Sequence, residues 1–167
     1  MHKDIIYAFI DGQNLYESLN RKGVVFSYEK LRGYLRKKFH VSKAIMYLGD
    51  IHKDVYKKAE RAGFVVKKKR SVLQIDASGK LVRKANIDVD LVVGALYEYN
   101  NDYDSAVLLT GDGDFMPLVK ALMKQNRLKN IIVPNNENSA IEYMDPQFKK
   151  YLVRLSDVEE KIDLLLQ

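Results

Sequence analysis

Three strand-like segments of this chain end in aspartate. Residues 5–10 read IIYAFI and stop at Asp11-Gly12; residues 42–48 read SKAIMYL and stop at Gly49-Asp50. Residues 105–109 read SAVLL and run into Thr110-Gly111-Asp112-Gly113-Asp114, and Asp88 and Asp90 open the segment that feeds that run. Glycine between Asp112 and Asp114 lets the backbone turn sharply enough for both carboxylates to face one space. Carboxylates converging in a cleft repel one another unless a cation neutralises them. Hard oxygen donors select Mg²⁺ or Mn²⁺, and Mg²⁺ commonly takes one or two carboxylates with water and substrate phosphate completing its shell. That chemistry positions water and stabilises charge during phosphodiester hydrolysis. Each acid also has a plainer use. Aspartate at a strand end forms turns and caps helices, as Asp50 would before the basic segment that follows it, and Asp88 and Asp90 complement a helix dipole. What resists the plainer use is the coincidence of Asp11 and the TGDGDF doublet on one edge.

Other chemistries have less to stand on. Cysteine is absent, so thiolate catalysis, zinc knuckles and disulfides are excluded. His2, His40 and His52 show no metal spacing, Ser105 and Ser139 lack a nucleophile-elbow context, and neither G-x-x-x-x-G-K-[ST] nor G-x-G-x-x-G occurs. Charge is unevenly distributed. Between Asn20 and Arg70 there are 16 Lys and Arg against 4 Asp and Glu, while the rest of the chain holds 12 basic and 18 acidic residues. This asymmetry fits a polyanionic partner as well as a solvated lysine surface. The densest basic run, Lys67, Lys68, Lys69 and Arg70, lies near Tyr56 and Phe64. It reads either as a phosphate track with stacking partners or as an edge strand protected by lysines.

The elements that position these groups follow from periodicity. At 167 residues, 47% hydrophobic and 30% charged, the chain is one globular domain spanning residues 1–167. No apolar run reaches the ~18 residues of a membrane span, and the start is too short in apolar residues for a signal peptide, so no membrane association and a cytoplasmic location are expected. Strands are expected at 5–10, 42–48, 64–69, 105–109 and 131–133. Helices are expected at 14–21, 28–38 with Ser27 as N-cap, 53–62 closed by Gly63, 88–99, 115–124 and 156–166, the last opened by a Ser156/Glu159 capping box. The helix over 88–99 is dense in Leu and Val and is expected to be largely buried. Val72, Ile75, Leu81 and Val82 flank a Ser78-Gly79 turn, predicting a hairpin. The alternation predicts an α/β fold, three layers with a mainly parallel central sheet of about five strands, whose ligands bind beyond the carboxyl ends of the strands.

The segments AFIDGQNLY, KANIDVDL and AVLLTGDGDFMPLVKAL, in that order over roughly residues 5–133, resemble the NYN domain family and its LabA-like branch, within the PIN-like (FLAP-nuclease-like) group. The resemblance implies a three-layer α/β/α fold and a Mg²⁺- or Mn²⁺-dependent ribonuclease site of clustered aspartates. Asp11, Asp88, Asp112 and Asp114 match the metal-site acids, and Asn14 the polar partner one helical turn beyond Asp11. Lys84 and Thr110 match the family's basic and hydroxyl positions and join Lys67, Lys68, Lys69 and Arg70 as expected RNA contacts. One position departs: relatives carry a further acid where this chain has Gly94, with Asp90 four residues before it. Two functions therefore follow, a metal-dependent ribonuclease acting on single-stranded or structured RNA, or an RNA-binding module with little catalysis. A haloacid-dehalogenase-like phosphatase is disfavoured, because TGDGDFMP lacks the spaced final aspartate and Ile10-Asp11-Gly12 lacks a D-x-D pair. A homodimer through a sheet edge or the terminal helix is compatible with the sequence, although no residue pattern demands it.

Overall fold

The first apolar run folds as strand β1 (Ile6–Asp11), buried along its whole length, as a central parallel strand covered on both faces must be. The computed structural model describes residues 3–20, 27–49, 53–84, 86–134, 140 and 145–155. The expected terminal helix over 156–166, with Asp50, His2, His52 and Ser139, lies outside them. After β1 come α1 (Gly12–Asn20), α2 (Tyr28–Phe39), β2 (Val41–Leu48), α3 (Lys53–Arg61) and β3 (Val65–Lys68). Ser27 caps α2 as expected, its side chain accepting the Lys30 N–H at 3.1 Å. Gly63, at φ +91°, ends α3 in the left-handed conformation that glycine adopts without strain.

A separate hairpin follows, β4 (Val72–Ile75) and β5 (Leu81–Lys84), paired antiparallel. Asp76 builds its turn by accepting the Ser78 and Lys80 N–H groups, and Gly79 takes φ +81°. Helix α4 (Ile87–Val93) then passes into a π-helical turn (Gly94–Glu98), where a single regular helix over 88–99 is the sequence expectation. β6 (Ser105–Leu109), a 3₁₀ turn (Gly113–Phe115), α5 (Met116–Lys124) and β7 (Leu128–Val133) complete the alternation. A second 3₁₀ segment (Pro146–Tyr151) leads to β8 (Leu152–Arg154), which raises the central sheet from about five strands to six. Three residues are too few to carry a readable alternation, and pairing with β7 is what makes them a strand.

The sheet order is β3-β2-β1-β6-β7-β8, and every neighbouring pair is parallel. The strand pleat sends alternate side chains to opposite layers. Ile6, Ala8 and Ile10 meet Leu31 and Leu35 of α2 and Ala59 of α3, while Tyr7 and Phe9 share the opposite core with Ile87, Leu91 and Ala95. The outcome is the three-layer α/β/α arrangement. The chain runs outward from β1 to β3 on one side and returns to β6 on the other. That order places the topological switch point between β1 and β6, where ligand crevices form in open parallel sheets. Among the described residues no helix is long and apolar enough to cross a membrane.

Candidate functional site

At that switch point Ile10 pairs with Leu109, so Asp11 and Thr110 leave the sheet side by side. Asp11 is only 4% exposed. Its Oδ1 accepts the Asn14 backbone N–H at 3.0 Å and its Oδ2 accepts the Thr110 hydroxyl at 3.1 Å. Thr110, also buried, accepts the Asp112 backbone N–H on Oγ1 at 3.1 Å. The Asn14 side-chain oxygen accepts the Gly111 N–H at 3.0 Å, and Asp112 Oδ1 accepts the Asp114 N–H at 2.9 Å, capping the 3₁₀ turn. Two loops from distant parts of the chain are thus joined around one carboxylate. Gly12 allows the junction, because a Cβ there would lie 2.7 Å from the Tyr47 carbonyl oxygen and overlap Leu48. α1 can begin directly after Asp11 only with glycine at this position.

The electrostatics follow from this packing. Burial pushes Asp11 up from 3.8 to about 6. The Asn14 N–H and the Thr110 hydroxyl act against that rise, and the negative charges of Asp88 and Asp112 add to it. Both acids therefore lie within electrostatic reach of Asp11. The pleat explains why Asp88 is one of them. Odd-numbered β1 side chains face the layer of α4, and Asp88 stands in the first turn of that helix. Asp112 is half-buried, whereas Asp88 and Asp114 are exposed.

The expected basic track is arranged differently. Lys67 pairs with Glu98 at 2.5 Å and Lys68 with Glu60 at 2.8 Å. Lys69 reaches both Asp90 Oδ1 and the Asn86 carbonyl at 3.0 Å, holding the start of α4 against the end of β3. These pairs are solvent-exposed and contribute at most about 1 kcal/mol each. β3 is an edge strand, so its lysines also guard that edge. Phe64 is buried edge-on against Tyr28, and Tyr56 donates its hydroxyl to the Gly49 carbonyl, with Lys68 over its ring. Arg70 is exposed; Lys84 pairs with Val72 in the hairpin. Asp90, the neighbour of the departing position, is occupied by Lys69.

One residue of this region has no signal in the sequence. Tyr47, opposite Asp11 on β2, buries a hydroxyl that has no hydrogen-bond partner, and a Cβ on Gly94 would collide with that oxygen. No side chain fits at position 94 while Tyr47 holds its place.

Among the described residues no group of three or more His, Asp or Glu side chains is arranged as a metal cage. The acids within electrostatic reach of one another, the buried Asp11 with Asp88 and Asp112, offer hard carboxylate oxygens and repel one another's charge. That set suits Mg²⁺ or Mn²⁺ held by one or two carboxylates with water, and not a soft or fully enclosed ion.

The comparisons with known proteins agree with this architecture. The crystal structure of a protein of unknown function from Vibrio parahaemolyticus is similar at TM-score 0.66 and 22% identity, covering 93% of this chain and 95% of that one, which shows a shared fold. No functionally curated protein matches the chain. The NYN domain family model matches residues 6–152, from the first residue of β1 to the first of β8. The match takes in Asp11, Asp88 and the GDGD pair, so this chain belongs to the NYN domain family, a nuclease-like family consistent with the PIN-like group.

Proposed function

We propose that the protein is a divalent-metal-dependent ribonuclease that hydrolyses RNA phosphodiester bonds in the cleft beyond β1 and β6. The observation that carries the reading is the buried Asp11 carboxylate at the sheet's switch point, facing the charges of Asp88 and Asp112. Asp11, Asp88 and Asp112 would hold the ion, with Asp114 beside them. A bound Mg²⁺ or Mn²⁺ would supply Lewis acidity toward the phosphate and a more acidic water. Asn14 and Thr110 fix both Asp11 oxygens, so the acid meets its partners in one orientation and reorganises little. Lys67 and Lys68 at the end of β3, Lys69 and Arg70 just after it and Lys84 at the end of β5 offer the RNA backbone a basic approach, Lys67 to Lys69 by exchanging their exposed acid partners for phosphates.

The test incubates the purified chain with end-labelled single-stranded and hairpin RNAs in Mn²⁺, Mg²⁺ or EDTA, beside Asp112→Asn. Metal-dependent cleavage reduced on the order of 100-fold or more in the variant is the expected result. Equal cleavage by the variant overturns the assignment.

A second reading rests on Tyr47 closing position 94 and on Lys69 engaging Asp90, which leave the site poorer in acids. On that reading the chain is an RNA-binding module. RNA stays intact with every metal, binding survives EDTA, and log affinity falls with log salt at about −0.7 per neutralised phosphate on single strands.

A further inference from the structure

The opposite end of the sheet carries a cavity that the carboxylate site does not use. Pairing of Ile6 with Val41 sets the starts of β1 and β2 side by side. Beside them Lys3 and Asp4, ahead of β1, and Arg32, Arg36 and His40, along α2 and its C-terminal cap, line a pocket of about 450 Å³. Small-molecule sites commonly occupy roughly 300–1,000 Å³. The three α2 side chains recur at four-residue intervals, so they share one side of the helix. Arg32 is half-buried and firmly held. Its Nε donates to the Gly63 carbonyl at 3.2 Å, and its two Nη atoms donate to the Val41 and Ser42 carbonyls at 3.3 and 2.9 Å. Three of its five N–H groups are thereby engaged and two remain. Burial, and then the charge of Arg36, pulls the Arg32 guanidinium below its ordinary value. Among the described residues no carboxylate forms an ion pair with either arginine, and Asp4 is the one acid in the lining. Basic residues in the last turn of a helix complement its dipole, as Lys37 and Lys38 do. The dipole does not account for two arginines lining one cavity with Lys3 arriving there from outside the helix.

We propose that this pocket binds a phosphomonoester, the terminal phosphate of a nucleotide-sized unit. Guanidinium groups match phosphate oxygens in a planar fork, and the remaining Arg32 N–H groups, Arg36 and Lys3 supply donors from two parts of the chain. A phosphomonoester carries nearly two negative charges near neutral pH, whereas a backbone phosphodiester carries one. Two arginines that repel each other therefore favour the former. Asp4 accepts a hydrogen bond from a hydroxyl on the rest of the ligand, for which the volume leaves room. The pocket lies at the amino ends of the strands. Asp11 is five residues along β1 from Ile6, on the order of 17 Å away. No residue is shared with the carboxylate cluster, so the inference stands apart from the nuclease reading. A free nucleotide and the 5′-phosphorylated end of an RNA carry the same group, and the test separates them.

The test is calorimetric titration of the full chain with two matched pairs, AMP against adenosine and a short 5′-phosphorylated RNA against its 5′-hydroxyl form. EDTA is present throughout, so that no metal brings phosphate to the aspartates. Arg36→Gln and Lys38→Gln run alongside. Both side chains are exposed, so circular dichroism should show each variant folded. Lys38→Gln removes the same charge from the same helix, but Lys38 lies outside the lining. The expected result is that the phosphorylated member of a pair binds more tightly. Arg36→Gln should weaken that binding about 10-fold or more, as loss of a hydrogen bond to a charged group does, and Lys38→Gln should leave it nearly unchanged. A preference for AMP identifies the free nucleotide as a ligand, and a preference confined to the RNA pair identifies the RNA end. No preference in either pair overturns the proposal, as does a preference that both variants weaken alike. RNA affinity that falls in Arg36→Gln whichever end the RNA carries assigns the pocket to backbone phosphates and equally overturns it.

Discussion

The hydroxyl of Tyr47 occupies the space that a side chain on Gly94 would need. The helix gives way at the same point. The Gly94 N–H is shared between the carbonyls of Asp90 and Leu91, and the Tyr99 N–H reaches back five residues to Gly94. A π turn of this kind accommodates a group pressed against a helix and often lies near a functional site. The buried phenol, shielded from water, has its ionisation pushed far above the ordinary tyrosine range, chiefly by burial and then by Tyr99, Glu98 and Asp90 nearby. It is a neutral group standing where the family resemblance leads one to expect an acid.

Gly94→Ala should therefore destabilise the protein by about 1–3 kcal/mol through overpacking, since the backbone there is ordinary right-handed helix and adds no strain. Tyr47→Phe removes a hydroxyl that is buried without a partner and should be neutral or stabilising by about 1 kcal/mol. Combined, the two changes should show a coupling of about 0.5–3 kcal/mol in urea titrations, because the phenylalanine ring relieves part of the clash. Additive effects would mean that Tyr47 can move aside freely.

Asp11 makes stability depend on pH. Its folded-state value of about 6 lies above the unfolded 3.8, so the folded state binds protons more tightly. Its contribution to stability is thus most favourable below about 4, falls as pH rises through 6, and amounts to a penalty of about 3 kcal/mol above that in the absence of metal. Asp11→Asn removes that penalty while keeping an oxygen for the Asn14 N–H. In EDTA at pH 8 the variant should melt several degrees higher, at roughly 2–4 °C per kcal/mol, and the advantage should shrink toward pH 4. A variant that melts lower at pH 8 would show that the Thr110 and Asn14 hydrogen bonds outweigh desolvation.

Divalent metal should largely cancel that difference. Mn²⁺ or Mg²⁺ at about 100 times its Kd stabilises the wild type by about 2.7 kcal/mol, an effect that Asp11→Asn should largely lose. Thermal melts with and without metal give the comparison directly. Equal stabilisation of both proteins would place the ion elsewhere.

Thr110 acts on the acid in a defined direction. Its hydroxyl favours the charged form of Asp11 and also receives the Asp112 N–H. Thr110→Val keeps the shape and removes both bonds, so Asp11 should titrate higher still and the protein lose about 1–3 kcal/mol. Where cleavage is measurable, the acid limb of its pH profile should move upward. An unmoved limb would show that Asp11 does not set it.

Much of the fold was legible because its strands are buried on both faces and its helices are not. IIYAFI and SAVLL are short, continuous apolar runs ended by glycine and acid, and α2 carries its own cap at Ser27. The hairpin was readable from Ser78-Gly79 between apolar residues. β8 was not, since LVR becomes a strand only beside β7. The apolar composition of residues 88–99 predicts a largely buried helix. The structure buries one side and leaves Val89, Val93 and Tyr97 outside, a distinction that composition does not encode.

The candidate site divides in the same way. Residue type and order in the sequence determined which groups are available: Asp11, Asn14, Asp88, Thr110, Asp112 and Asp114, each at or beside a turn or helix start. Only the tertiary structure decided which of them meet. Thr110 bonds to Asp11 across a separation of 99 residues because β6 lies beside β1, and strand adjacency is a property of the sheet order, not of any local pattern. Likewise Lys69 was taken up by Asp90 and position 94 was closed by Tyr47, contacts across 21 and 47 residues that packing alone creates. Local sequence specifies conformation through nearby sterics and hydrogen bonds. The charge and accessibility of a site are set by whatever the folded chain brings against it.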